Sequence, residues 1–214
     1  MRGEIVVGIT RPAFVHLTVR VRSISKLVQQ RFSEEARRQF ESKQRGGDKP
    51  EAHARPRRKA RDFEREGRAG TYRGGSSNGW YGIPCNALRS GMIACCRLTS
   101  MKMVNARLAI FVEADGYDYA DGTPLVRIAT KAPKYLVSTV NGPNGRPDLR
   151  CRAHFEAWEA TVRIRYDSEQ LTETDVVNLL MRCGLQNGIG NGRPNSKKSD
   201  GQGWGMFEVV EDHR

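Results

Sequence analysis

The side chains of this sequence that could do chemistry are cations set among glycines and aromatic rings. Gly188 to Gly205 is a glycine-rich run that carries Arg193, Lys197 and Lys198. Glycine lets backbone N–H groups come close to a phosphate while cations neutralise it, so the run, with Gly188 and Gly190 at its head, fits sequence-independent phosphate capture. The same composition fits a plain flexible loop ahead of a strand, although the embedded Ile189 and Trp204 favour an ordered one. A second set is Arg20, Arg22, Arg163 and Arg165, on the outer positions of two alternating segments, with Tyr72, Trp80 and Tyr81 as rings able to stack on bases. A solvated outer face is the competing reading of such arginines.

Catalytic and metal chemistry have far less support. No Ser-His-Asp, Walker or H-E-x-x-H pattern is present. Asp115, Asp118 and Asp121 read as loop residues, with recruitment of a divalent cation as the less favoured alternative. Cys85, Cys95, Cys96, Cys151 and Cys183 form no C-x-x-C pair and read as reduced, structural thiols. His16, His53, His154 and His213 are scattered along the chain. The expectation is a protein with no metal, no cofactor and no catalytic residue.

Charge points the same way. Against 24 acidic residues the chain carries 36 Lys and Arg, a formal net charge of +12 over 214 residues, which favours a polyanionic partner. A membrane is the weaker choice, because no run approaches the roughly 18 to 20 apolar residues of a spanning helix and the N-terminus lacks the order of a secretory signal. A cytoplasmic location is expected.

The elements that must position these residues follow from periodicity. Ala13 to Arg22 alternates, with Val15, Leu17, Val19 and Val21 on one side and His16, Thr18, Arg20 and Arg22 on the other, as a half-buried strand does. Leu27 to Gln44 reads as helix. Residues 45–79 read as a basic, flexible insertion poor in apolar residues; Arg31 to Tyr72 holds 13 basic and 8 acidic residues, a mixed excess of positive charge fitted to order on a partner. A helix enters at Pro84, with Leu88, Gly91, Met92 and Cys95 on one face and Gly91 allowing close approach. Ala106 to Ala114 reads as a strand. Residues 115–155 form a second insertion with turn signals, a short strand at Leu125 to Ala129 and a hairpin.

The clearest strand is Trp158 to Tyr166, where Glu159, Thr161, Arg163 and Arg165 alternate with apolar positions. Thr172 and Asp175 then cap a helix, with Leu171 and Val176 as a hydrophobic staple and Gly184 placed to end it in the left-handed conformation. Past the 188–205 glycine-rich loop comes a last strand, Met206 to Val210. The order strand, helix, strand, strand, helix, strand predicts one α+β domain over 1–214 with a ferredoxin-like βαββαβ core, in which the first and third strands lie side by side and gather the four arginines on an open face.

Three segments carry a resemblance: Ile24-Ser25-Lys26-Leu27-Val28-Gln29-Gln30-Arg31-Phe32-Ser33 after the first strand, Ile83-Pro84-Cys85-Asn86-Ala87-Leu88-Arg89-Ser90-Gly91-Met92 at the proline-led helix, and Gly188-Ile189-Gly190 running through to Gly203-Trp204-Gly205-Met206-Phe207. On these the chain resembles the RAMP superfamily of CRISPR ribonucleoproteins, and within it the backbone subunits that coat guide RNA. Cys85-Asn86 stands where that group often carries a Gly-Ser pair. The resemblance implies a non-catalytic subunit that coats single-stranded RNA, assembles as a homo-oligomer or with other subunits, and uses Lys26, Gln29, Arg31 and Arg89 beside the glycine loop as RNA contacts. An ordinary amphipathic helix end would also account for Lys26 to Arg31. Two further readings stay open: a phage-type structural or assembly protein on the same core, and a RAMP-type RNA endonuclease with a loop aspartate, for which Asp48 stands at a conceivable position.

Overall fold

The computed structural model describes residues 11–32, 37–38, 41–42, 44–45, 60–141, 147–196 and 201–210. In chain order its strands are β1 (Phe14–Ser23), β2 (Leu27–Gln29), β3 (Arg73–Gly74), β4 (Trp80–Pro84), β5 (Ile110–Val112), β6 (Gly116–Tyr117), β7 (Pro124–Thr130), β8 (Lys134–Asn141), β9 (Pro147–Phe155), β10 (Trp158–Asp167) and β11 (Phe207–Val210). The α-helices α1 (Phe63–Ala69), α2 (Cys85–Cys95), α3 (Met103–Ala109) and α4 (Glu173–Arg182) belong with these strands to a mixed α+β fold dominated by sheet.

The two alternating segments form its centre. β1 and β10 pair antiparallel from Phe14 opposite Asp167 to Arg22 opposite Glu159. β11 adds to the free side of β1, and β10 is shared: Trp158 to Ala160 pair with β7, while Ile164 to Tyr166 pair with β5. Beyond β7 lie β4 and β3, and a separate sheet in the order β2-β9-β8 closes the other side. Alternation fixes which face is covered, because a slip of one residue would turn every side chain over. Val19, Val21, Val162 and Ile164 are buried in one cluster with Leu88 and Met92 of α2 and Val176 and Leu180 of α4. His16, Thr18, Arg20 and Arg22 of β1 and Glu159, Thr161, Arg163 and Arg165 of β10 are exposed on the opposite face.

Local sequence signals explain the helices. In α4 Thr172 Oγ1 accepts from Asp175 N and the Asp175 carboxylate accepts from Thr172 N, a reciprocal capping box, and Leu171 and Val176 are both buried. α2 starts directly after Pro84, and Gly91 permits the expected close approach, since a Cβ there would collide with Cys183 Sγ.

Several expectations are corrected. Leu27 to Gln29 is strand rather than the start of a helix: it pairs with Ala153 to Phe155 of β9 and buries Leu27 and Val28, a distant contact that overrides local pattern. Ala106 to Ala109 belongs to α3, so the strand expected over Ala106 to Ala114 is confined to Ile110–Val112. Gly184 does not end α4; the chain continues through a π-type turn, Cys183–Asn187, and the left-handed residue is Gly188 at φ +67°. Gly184 is needed for space instead, because a Cβ there would collide with the Phe207 carbonyl of β11. Within the first insertion, residues 46–59 lie outside the described residues, while residues 60–79 hold α1 and β3, with α1 packed on the β8–β9 hairpin through Gly67 against Tyr135 and Cys151. The strand expected at Leu125 to Ala129 is present as β7. Among the described residues no helix is long and apolar enough to cross a membrane.

Candidate nucleic-acid interface

Antiparallel pairing of β1 with β10 brings Arg20, Arg22, Arg163 and Arg165 onto one open face, as alternation predicts. The face is not a bare basic platform. Arg22 Nη2 lies 2.6 Å from Glu208 Oε1 of β11, and that hydrogen bond and charge hold its pKa above the usual arginine value. Arg163 Nη2 lies 2.9 Å from Asp115 Oδ1 and also donates to Ala114 O, and His16 Nδ1 lies 3.2 Å from Glu113 Oε1. An exposed pair such as Arg163–Asp115 contributes about 0 to 1 kcal/mol. A phosphate can therefore compete with the aspartate for that guanidinium at little cost.

Arg165 differs from its neighbours. Among the described residues its guanidinium has no carboxylate partner and instead lies 5.0 Å from the ring centres of both Phe14 and Phe111. The two rings meet edge to face at 5.7 Å, and the Arg89 guanidinium of α2 also lies 5.0 Å from the Phe111 ring centre. Arg89 is also anchored, donating from Nε to Ile110 O at 2.7 Å and from Nη2 to Arg107 O. Phe14 and Phe111 escaped sequence reasoning. The signal for Phe14 was its place in the outer set of the β1 alternation, an apolar residue in line with His16, Thr18, Arg20 and Arg22.

The glycine-rich loop returns against the segment joining β1 to β2. Ile189 N donates to Gly205 O, Gly205 N to Lys26 O and Asn191 N to Val28 O, so both limbs of the loop are tied to the same few residues. Ile189 is buried. Gly190, at φ +73°, packs so tightly that a Cβ would press on the Val28 carbonyl. Lys26 Nζ sits 4.5 Å above the Trp204 ring, and Arg193 Nη1 donates to Gly190 O at 3.0 Å. Lys26, Arg193, Gly188 and Gly190 thus share one locality, whereas Lys197 and Lys198 lie outside the described residues.

Two expected contact residues are withdrawn into the interior. The Arg31 and Asp118 side chains are 4% and 0% exposed, with Nη1 and Oδ1 2.6 Å apart; Arg31 Nε and Nη2 donate to Ala69 O, and Asp118 accepts from the backbone N–H groups of Arg73, Ala120 and Asp121. Gln29 is buried too, donating to Gly82 O and accepting from Tyr72 N. Both bind the insertion to the sheet, so neither presents a donor to a phosphate. The expected stacking rings are packed on the interior: Tyr81 lies against the core, edge to face with the buried Phe155 at 5.1 Å, and Trp80 covers Gly74 and Gly116. Burial pushes the Tyr72 hydroxyl pKa up.

The three aspartates each hold a different partner, Asp115 with Arg163, Asp118 with Arg31 and Asp121 with Arg37, and among the described residues no group of His, Cys, Asp or Glu is placed to hold a metal ion. All five cysteines are buried free thiols, and burial pushes Cys85 up to about 11. His154 was also missed: it is buried with neither ring nitrogen hydrogen-bonded, lies edge to face with Trp204 at 5.5 Å, and is held below the usual histidine pKa by burial and by nearby Lys26. Asp48 lies outside the described residues.

No protein-family model matches the chain, and no curated protein matches it.

Proposed function

We propose that this protein is a non-catalytic RNA-binding subunit that coats single-stranded RNA, built on a ferredoxin-like core of the RAMP type and assembling as a homo-oligomer along the strand. The observation that carries this reading is the pairing of β1 with β10, which collects Arg20, Arg22, Arg163 and Arg165 on one open face while α2 and α4 pack on the other. The ferredoxin-like reading draws support from the order β11, β1, β10, β5 in the sheet, with α2 between β1 and β5 and α4 between β10 and β11 in the chain. The Lys26–Trp204 pair and Arg193 at the glycine loop supply a second cationic locality. Binding is then mostly to phosphate and weakly selective in sequence, with specificity left to base pairing by the bound strand.

A protein-assembly role is the second reading. It draws support from Leu98, Val104 and Leu108, exposed around α3, with Val104 and Leu108 one turn apart on it.

The test titrates labelled single-stranded RNA, with single- and double-stranded DNA alongside, at several salt concentrations while following mobility and cleavage. The expected result is RNA binding without cleavage, weakening linearly in log affinity against log salt, with Arg20→Gln or Arg163→Gln each lowering the slope by about 1. Absence of binding to any nucleic acid at low salt refutes the reading and moves assembly to first place, whereas cleavage returns the endonuclease.

A further inference from the structure

We propose that Phe14, Arg165 and Phe111 form a base-stacking platform at one end of the open sheet face. The inference rests on the nucleic-acid reading above and adds where the bases sit. Its chemistry starts from register. Phe111 of β5 is directly opposite Arg165 of β10, and Phe14 of β1 is two residues diagonal to it, next to His16, the direct partner of Arg165. Diagonal and direct neighbours on one face are within reach of long side chains, and here both rings close on a single guanidinium at 5.0 Å.

Three observations distinguish this cluster from ordinary surface. Phe14 is 38% exposed on a face otherwise lined by His, Thr, Arg and Glu, on the side away from the core. Arg165 is held by rings where Arg22 and Arg163 are held by carboxylates, so its charge is not neutralised by a neighbouring acid among the described residues. Arg89, fixed through two carbonyls, adds a second guanidinium against Phe111.

A cluster of this composition suits an aromatic base. Every nucleobase has a π face that stacks on phenyl or guanidinium planes, and the nearby cations take the phosphates, so the contact is tolerant of sequence. From Phe14 to Arg22 the face runs about 27 Å, at about 3.4 Å per residue. Bases are stacked at the Phe14 end, and the backbone passes along Arg163 and Arg20 toward the Arg22 end.

The experiment titrates the full chain with labelled oligouridine RNA at three salt concentrations, comparing the unaltered protein with Phe14→Leu, Phe111→Leu and the double variant, and with Phe14→Tyr as the ring-retaining control. The Leu variants are expected to bind roughly 5- to 140-fold more weakly per stacked base lost. Their slope of log affinity against log salt should stay unchanged, because no phosphate contact has been removed. Phe14→Tyr should restore affinity. A 2-aminopurine placed in the oligonucleotide should lose its stacking signal in the double variant, and thermal unfolding of each variant checks that it is folded. Unaltered affinity of the folded double Leu variant overturns this inference alone. Absence of binding by the unaltered chain overturns the nucleic-acid reading and this inference with it. Loss of self-association in the Leu variants with RNA affinity intact overturns it in favour of a protein contact.

Discussion

Replacing Asp118 by Asn tests whether Arg31 is a structural tie. The substitution leaves the guanidinium in place, almost fully buried against the Ala69 carbonyl and the Tyr119 ring, and removes the carboxylate charge it is paired with. Asn can keep an acceptor at the Oδ1 position, which serves Arg31, Ala120 N and Asp121 N, but it then turns an N–H donor toward Arg73 N, which donates to Oδ2 at 3.0 Å. Breaking one half of a buried pair costs about 3 to 5 kcal/mol. For a chain of 214 residues each kcal/mol moves the midpoint by about 2 to 4 °C, so Tm should fall by roughly 6 to 20 °C. The double variant Arg31→Met with Asp118→Leu removes both charges and should recover part of the loss, although the three backbone N–H groups stay without an acceptor. Urea unfolding followed by far-ultraviolet circular dichroism reads all three proteins. A loss below about 1 kcal/mol in Asp118→Asn would refute the reasoning, because a buried guanidinium cannot lose its counter-charge so cheaply.

His154 should make the protein sensitive to acid. Its folded pKa is lowered, by burial and then by Lys26, so its contribution to stability is present above about pH 6.5 and is lost as pH falls through the folded value, with a slope of up to about 1.4 kcal/mol per pH unit. Glu156 opposes that shift and Arg152 adds to it. Denaturant midpoints between pH 7.5 and 5 should fall less steeply in His154→Leu than in the unaltered protein, and parallel curves would remove His154 from the account. At the glycines, Gly184→Ala overpacks the Phe207 carbonyl and should cost about 1 to 3 kcal/mol. Gly203→Asn, at φ +70° in open space, should cost about 0.5 kcal/mol or less, because Asn tolerates the left-handed region. Equal losses at the two positions by urea titration would contradict this assignment.

Legibility in the sequence followed the range of the interaction. The alternation of Val19 and Val21 with Arg20 and Arg22, and its counterpart at Val162 to Arg165, needs only the two-residue period of a strand, and so both strands and their open face could be read directly. The Thr172–Asp175 cap is equally local. Leu27 to Gln29 was opaque, because three residues do not distinguish the start of a helix from a strand and its partner, β9, is more than a hundred residues on. Arg31 and Asp118 are 87 positions apart, and neither local sequence announces burial. Asp115, Asp118 and Asp121, read as loop residues with a shared cation as the less favoured alternative, each turn to a different arginine, Arg163, Arg31 and Arg37, and spacing alone does not show those pairings. The aromatic members of the open face were hidden for a related reason: Phe111 joins Phe14 only through β10, which stands between them.

The closed neck of the glycine-rich loop has a consequence for how the chain can change. Ile189 joins the two limbs at Gly205, and Gly205 and Asn191 fasten them to Lys26 and Val28, so the residues beyond that clasp are joined to the fold at a fixed gap. Closure entropy grows slowly with length, by about 0.6 kcal/mol for each doubling. Inserting or deleting residues distal to Asn195, whose backbone and side chain are tied to Asn187, and ahead of Gly203 therefore changes the reach of the loop while leaving the clasp and the sheet beneath it intact. The neck acts as a splice point, where one scaffold can carry appendages of different length.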